Sequence, residues 1–395
     1  MVKTAPAWRW CAAPLALALL AGGQAQAEIP DTLVWTAYDV GSAGYNQAAS
    51  VGHVMAEHEG VTLRVIPGGN DVARQAPLIA GRAHFGALGI ASFLSQEAVM
   101  EFASAEWGPQ PVRILGMFWA NFNTGQASCA GDAGIETVFD LGGKRVAWVV
   151  GAPALNLNMT SFLAAGDLTW DDVQREEFPS WGASGRAVIE DRADCFIAST
   201  NSGMAYELAD SPRGYQPAYM PRQEEDAAAW ERLRSVAPYW EYNEATVGAP
   251  PVSEENPHIG ATYGYPIITA YAGQDEDLVY HQTRMLYELL PHYKDAYPGN
   301  EGMALEAQRF AWVIPYHDGA IRYFKERAVW SDELQTHNDR LVERQQVLAA
   351  AWERALAEQA AKEIAAADFP AFWMGIRTEE LKAAGFEPYW EELFW

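Results

Sequence analysis

One unit recurs along this chain and constrains its fold more than any other feature: a short β-branched or aromatic run, a glycine turn, then a helix-forming stretch. Its clearest copy is Phe139 to Leu163, FDLGGKRVAWVVGAPALNLNMTSFL. Arg145 to Val150 has the length and composition of a strand, and Gly151-Ala152-Pro153 breaks it. Pro153 suits the first turn of a helix, where a missing N–H leaves no bond unmade. Ala154 to Leu163 continues with helical propensity. The same order is read upstream. Thr32 to Thr36 is a strand before Gly41-Ser42-Ala43-Gly44 and a helix to about Glu57. Val61 to Ile66 precedes Pro67-Gly68-Gly69-Asn70 and a helix from Asp71 to about Ala80, and Phe85–Leu88 and Val112–Trp119 are further strands. Such repetition predicts an open parallel sheet with helices on both faces. Its ligands sit outside the carboxyl ends of the strands, where the glycine turns lie and helix starts offer free N–H groups.

A second set of units follows. Thr124–Cys129, Arg145–Val150, Val173–Phe178 and Asp194–Ala198 read as strands, with helices at 154–165, 183–191 and 202–209 between them. Ile259 to Tyr271 reads as a pair of strands, and Asp275 to Leu290 as a helix. The 395 residues suffice for two domains. The chain is therefore expected to form two doubly wound α/β lobes. Lobe 1 takes 28–121 and 251–330, lobe 2 takes 122–250, and two crossings leave a ligand cleft between them.

Residues 331–395 differ in pattern. Ser331 can cap a helix, with Asp332 and Glu333 in its first turn. Leu334, Leu341, Leu348, Trp352 and Leu356 form one apolar stripe, interrupted by Asn338 and Gln345, which weakens a coiled coil. The expectation is a helix of roughly 35 residues, to about Ala367, lying along the protein's own lobes and ended by Pro370. The aromatic tail Tyr389 to Trp395 is expected to dock.

The N-terminus carries a separate message. Lys3 and Arg9, the apolar run Ala12 to Ala21 and the A-x-A site Ala25-Gln26-Ala27 read as a cleaved secretory signal peptide at 1–27. The run is too short to span a bilayer, so the processed chain is not expected to cross a membrane. Loss of Lys3 and Arg9 takes the net charge from −25 to −27. This acidity excludes nucleic acid and anionic membrane surfaces as partners. Cys11 leaves with the signal, so Cys129 and Cys195 remain. In an oxidising compartment they either form a disulfide or stay as buried free thiols.

Catalytic motifs are missing: there is no G-x-S-x-G, H-E-x-x-H, Walker loop or C-x-x-C. The eight histidines, at 53, 58, 84, 258, 281, 292, 317 and 337, are scattered without metal-ligand spacing. No cofactor and no metal is expected. A secreted hydrolase or isomerase would have to rest on His317 and Asp318, with no nucleophile indicated.

Several ordered segments resemble those of a known family. They are Gly41-Ser42-Ala43-Gly44, Pro67-Gly68-Gly69-Asn70 with Leu78-Ile79-Ala80-Gly81-Arg82-Ala83-His84-Phe85-Gly86, and Asp140-Leu141-Gly142-Gly143-Lys144-Arg145-Val146. They continue with Ala261-Thr262-Tyr263, Asp277-Leu278-Val279-Tyr280, and His317-Asp318-Gly319-Ala320-Ile321-Arg322-Tyr323. In order and spacing, across about 32–330, they resemble the TAXI family of TRAP-transporter solute receptors. The resemblance implies a type II periplasmic-binding-protein fold and a periplasmic location. It implies capture of a small organic solute, a carboxylate or amino-acid-like molecule, and delivery to a fused TRAP permease driven by an ion gradient. An ABC-importer receptor is the alternative within the same fold. The chain departs from the family where Gly44-Tyr45-Asn46-Gln47, Gly151-Ala152-Pro153-Ala154 and Arg74 stand. The candidate ligand-binding residues are Ser42, Tyr45, Asn46, Asn70, Arg74, Gly151, Ala152, Asn156, Trp181, Asn201 and Tyr263. Arg74, with the helix starts near Asn70 and Ala152, either clamps a carboxylate or pairs with Asp71 three residues back.

Overall fold

The structure is a computed structural model that describes residues 29–391; the expected signal peptide and the tail residues Glu392 to Trp395 lie outside them. Along the chain the strands are β1 (Thr32–Ala37), β2 (Thr62–Pro67), β3 (Phe85–Leu88), β4 (Val112–Met117), β5 (Gln126–Ala130), β6 (Arg145–Val149), β7 (Gln174–Phe178), β8 (Cys195–Ala198), β9 (Tyr215–Pro217), β10 (Glu241–Ala245), β11 (His258–Thr262) and β12 (Ile267–Tyr271). The helices are α1 (Ala43–Glu59), α2 (Asp71–Ile79), α3 (Ala91–Glu97), α4 (Pro153–Ala165), α5 (Trp181–Ile189), α6 (Gly203–Asp210), α7 (Ala227–Val236), α8 (Glu276–Glu288), α9 (Leu290–Tyr293), α10 (Asp318–Glu326), α11 (Asp332–Lys362) and α12 (Phe369–Ala383).

Two five-stranded sheets result, with strand orders β2-β1-β3-β12-β4 and β7-β6-β8-β5-β9, beside the two-stranded pair β10-β11. The orders correspond position by position. In each, the first strand of the lobe lies between the second and third, and the strand entering from the other lobe is inserted before the last. The inserted strands run backwards: β12 is antiparallel to β3 and β4, and β5 to β8 and β9. The purely parallel sheet expected from sequence is thus a mixed one. A strand that arrives from the opposite lobe enters its sheet from the cleft end, so its direction is reversed. The Ile259–Tyr271 pair is also corrected, since β11 pairs with β10 while β12 belongs to the first sheet.

The two crossings run side by side. Tyr265 N–H donates to Phe118 O (2.9 Å), Phe118 N–H to Pro266 O (3.1 Å), and Thr124 Oγ1 to Tyr263 O (3.1 Å). The cysteine question is decided by register: Cys129 of β5 faces Cys195 of β8, and the two form a disulfide with Cα atoms 4.0 Å apart.

The C-terminal helices lie on the first lobe. α11 spans 31 residues and stops at Glu363, whose φ of 51° turns the chain out of the helix, not near Ala367. Pro370 does not end it; it sits in the first turn of α12, where proline is tolerated. The polar residues of the stripe are used. Asn338 Oδ1 accepts Tyr316 N–H (2.7 Å), and Gln345 donates to Val112 O (3.0 Å) and Gln96 Oε1 (2.7 Å). Residues around Tyr316 bridge to Ile114 of β4, so this edge strand is covered rather than left open for pairing. Trp390 of the tail is buried against Phe93. Among the described residues, no helix is long and apolar enough to cross a membrane.

Candidate functional site

Four of the β→α turns facing the lobe junction end in a residue whose side chain caps the next helix. Ser42, Asn70, Ser180 and Ser202 accept N–H groups at the starts of α1, α2, α5 and α6. These turns follow the carboxyl ends of β1, β2, β7 and β8, so the cap chemistry of the sequence brings four helix starts to one cleft. A narrow cavity of about 30 Å³ lies there, partly open to solvent. Its walls are Tyr38, Tyr263, Tyr265, Trp181, Leu155 and Ile197, with Ser42, Thr124, Asn158, Ser199 and Ser202 between them.

The aromatic walls are held from behind. Trp181 donates its indole N–H to Ile197 O (2.8 Å) and lies against Phe196. Tyr38 meets Tyr265 edge to face at 5.0 Å. Burial pushes the phenols of Tyr38, Tyr263 and Tyr265 up from their ordinary value, so they stay neutral. No lining residue carries a formal charge.

The lobes touch directly around this cavity. Asp71 N–H and Val72 N–H donate to Gly151 O (3.1 and 3.3 Å), Asn70 Nδ2 to Val150 O (3.3 Å), and Trp181 N–H to Gly69 O (3.0 Å). Gly203 N–H donates to Gly41 O (3.0 Å) and Asn201 Nδ2 to Pro298 O (2.7 Å). The arrangement is that of a closed clamp.

Of the candidates from sequence, Ser42, Trp181 and Tyr263 line the cavity. Asn70, Gly151 and Asn201 make the lobe-to-lobe bonds just described. Tyr45 and Asn46 are half-buried on α1 outside the lining, and Ala152 is buried beneath the turn. Asn156 is spent on β6, exchanging bonds with Val149 N–H (3.0 Å) and Val149 O (2.9 Å). Arg74 takes the pairing with Asp71 rather than standing free as a clamp: its guanidinium is buried, bonded to Asp71 and to Gly68 O (2.9 Å). A helix pair worth little on a surface becomes an obligatory partnership once both charges lose water. Sequence reasoning missed Tyr38, Thr124, Leu155, Asn158, Ser199, Ser202 and Tyr265. Ser202 was legible as a helix cap. The others are ordinary residues brought together by the two crossings.

His317 caps α10 by accepting Gly319 N–H (3.1 Å), so the His317–Asp318 pair is explained as a helix start. Among the described residues, no cluster of three metal-ligating side chains is found.

Two lobes of matching topology, joined by paired crossings over a shared cleft, define the type II periplasmic-binding-protein fold. The chain belongs to the NMT1-like family, whose model matches residues 41–327. No curated protein matches the sequence. Solved structures with a similar chain path include the substrate binding protein of an amino acid ABC transporter (13% identity, 67% of this chain and 96% of that one, TM-score 0.39). Another is the alkanesulfonate-binding protein SsuA from Xanthomonas axonopodis pv. citri bound to MOPS (13% identity, 82% and 92%, TM-score 0.40). A third is an ABC transporter periplasmic binding protein from Brucella ovis with glutathione bound (12% identity, 67% and 70%, TM-score 0.42).

Proposed function

We propose that this protein is a periplasmic receptor of the TAXI type, exported by a signal peptide at 1–27, which captures a small organic solute and hands it to an ion-gradient-driven TRAP permease. It is a binding protein and not an enzyme. Lobe 1 (28–121 and 251–330) and lobe 2 (122–250) open and close about the paired crossings, with the solute between them. The observation that carries this reading is the aromatic-walled cavity at the carboxyl ends of both sheets. A solute that touches both lobes favours the closed state by its extra contacts there. The TRAP partner and the carboxylate or amino-acid-like cargo come from the sequence resemblance alone.

The test starts with the protein purified from periplasm and the small molecule it carries. Small-angle scattering of stripped protein, with and without that molecule, should show compaction on binding. Identical curves at saturation would remove the clamp. Uptake in cells should collapse with an ionophore and survive depletion of ATP; the opposite result assigns the receptor to an ABC importer.

A further inference from the structure

Asp71 occupies the place where an anionic cargo would be held. It is the first residue of α2, on the first lobe, and its Oδ2 accepts the N–H of Ala154 (2.8 Å) at the start of α4, on the second. Its other oxygen pairs with Arg74. Asp71 is 0% exposed and Arg74 1%. The Arg74 guanidinium also donates to Gly68 O and lies 3.9 Å from the centre of the Tyr38 ring, which forms a wall of the cavity. The start of α2 is filled in the same way, by Gly151 O. Both helix starts are therefore occupied, that of α4 by the chain's own carboxylate and that of α2 by its own carbonyl, and Arg74 spends both terminal nitrogens on Asp71 and Gly68 O, leaving only its buried Nε without a partner.

What remains for a cargo is uncharged. The hydroxyls of Ser42, Ser199 and Ser202 accept N–H groups of Tyr45 (3.2 Å), Gly125 (3.4 Å) and Ala205 (3.2 Å). Each therefore keeps its own O–H to donate. An added carboxylate would enter a narrow, aromatic-walled space beside Asp71 with no charged lining residue to meet it, and burial of an unpaired charge is strongly unfavourable.

We infer that Asp71 is a built-in anion that closes the lobes, and that the cargo is a small uncharged molecule with an apolar or flat body and carbonyl or hydroxyl oxygens. This deepens the solute-receptor reading and rests on it for the cargo. Asp71→Ala should vacate a carboxylate site made of Arg74 and Ala154 N–H. Its melting temperature should rise saturably by several degrees with acetate or formate at constant ionic strength, relative to chloride, while the wild type does not respond. Asp71→Asn, of equal size and with an acceptor for Ala154, is the folding control. If the control melts cooperatively and Asp71→Ala shows no gain in acetate, or no transition at all, the inference is overturned. Calorimetry of the wild type against carboxylates and their matched primary amides supplies the second arm. Carboxylates bound tenfold or more tighter than the amides overturn the uncharged cargo. Acetate rescue needs no natural cargo. A rescued Asp71→Ala beside a wild type that binds no small molecule would therefore leave the built-in anion standing and sink the receptor reading.

Discussion

One buried carboxylate, Glu97, ties both C-terminal helices to the first lobe, and changing it to Gln measures that part of the attachment. Glu97 ends α3 at 0% exposure. Arg344 of α11 donates to both of its oxygens, at 2.7 Å each, and Arg377 of α12 to one of them. The two arginines are 3% and 0% exposed. Their remaining N–H groups go to backbone: Arg344 to Glu387 O (2.7 Å), and Arg377 to Glu97 O (3.1 Å), Pro388 O and Trp390 O (2.8 Å each). An amide at this position removes the countercharge and turns an NH₂ group against a guanidinium. Removing one partner of a buried pair costs about 3–5 kcal/mol. Unfolding entropy near 2.1 cal/mol/K per residue over roughly 360 residues gives about 0.75 kcal/mol/K, so the melting temperature should fall by about 4–7 °C. Calorimetry reads the fall, and limited trypsin digestion should release α11 and α12 sooner. Burial alone would raise the Glu97 carboxyl, but Arg344 and Arg377 overcome it and hold the group below its usual range. A depressed carboxylate contributes stability above its unfolded value, about pH 4.3, and loses it as pH falls through the folded value. The wild type should show this acid limb and Glu97→Gln should lack it. Replacing all three residues by apolar ones should recover most of the loss, because no unpaired charge is then buried. A single variant that melts within a degree of wild type with an unchanged digestion pattern would refute the reasoning.

Three further outcomes are expected. His258 is buried between Asn123 and Ala218 O, and burial pushes it down to about 4. A histidine depressed in the folded state contributes stability that is whole above its unfolded value near 6.5 and lost as pH falls toward 4, about 3 kcal/mol in all; His258→Gln should flatten that part of a pH–stability curve. The Cys129–Cys195 bond closes a loop of 66 residues' separation, so Cys129→Ser with Cys195→Ser should cost about 4 kcal/mol by chain entropy, read by urea unfolding. Trp181→Ala should cost about 3–5 kcal/mol, since its ring is 5% exposed against Phe196, and a melt unchanged from wild type would contradict that burial.

Strand and helix positions were legible because they depend on neighbours a few residues apart. Phe85–Leu88 matches its strand end for end, and the glycine turns at Gly41, Gly68 and Gly151 fall where the sequence places them. Three features were not legible. The reversed direction of β12 follows from which lobe the chain leaves, and periodicity carries no record of direction. The roles of Asn338 and Gln345, read as flaws in an apolar stripe, depend on backbone at Tyr316 and Val112, far away in sequence. Arg74 shows the division most sharply. Its spacing from Asp71 was visible in the chain and left two roles open. The choice came from Ala154, some eighty residues on, whose N–H fixes the Asp71 carboxylate. The sequence by itself determined the local elements and most of their caps, because hydrophobic period and turn chemistry act over one or two turns of chain. The tertiary structure decided which charges lose their water and what faces them, because desolvation depends on everything that closes around a group, including lobes that meet only after the chain has crossed twice.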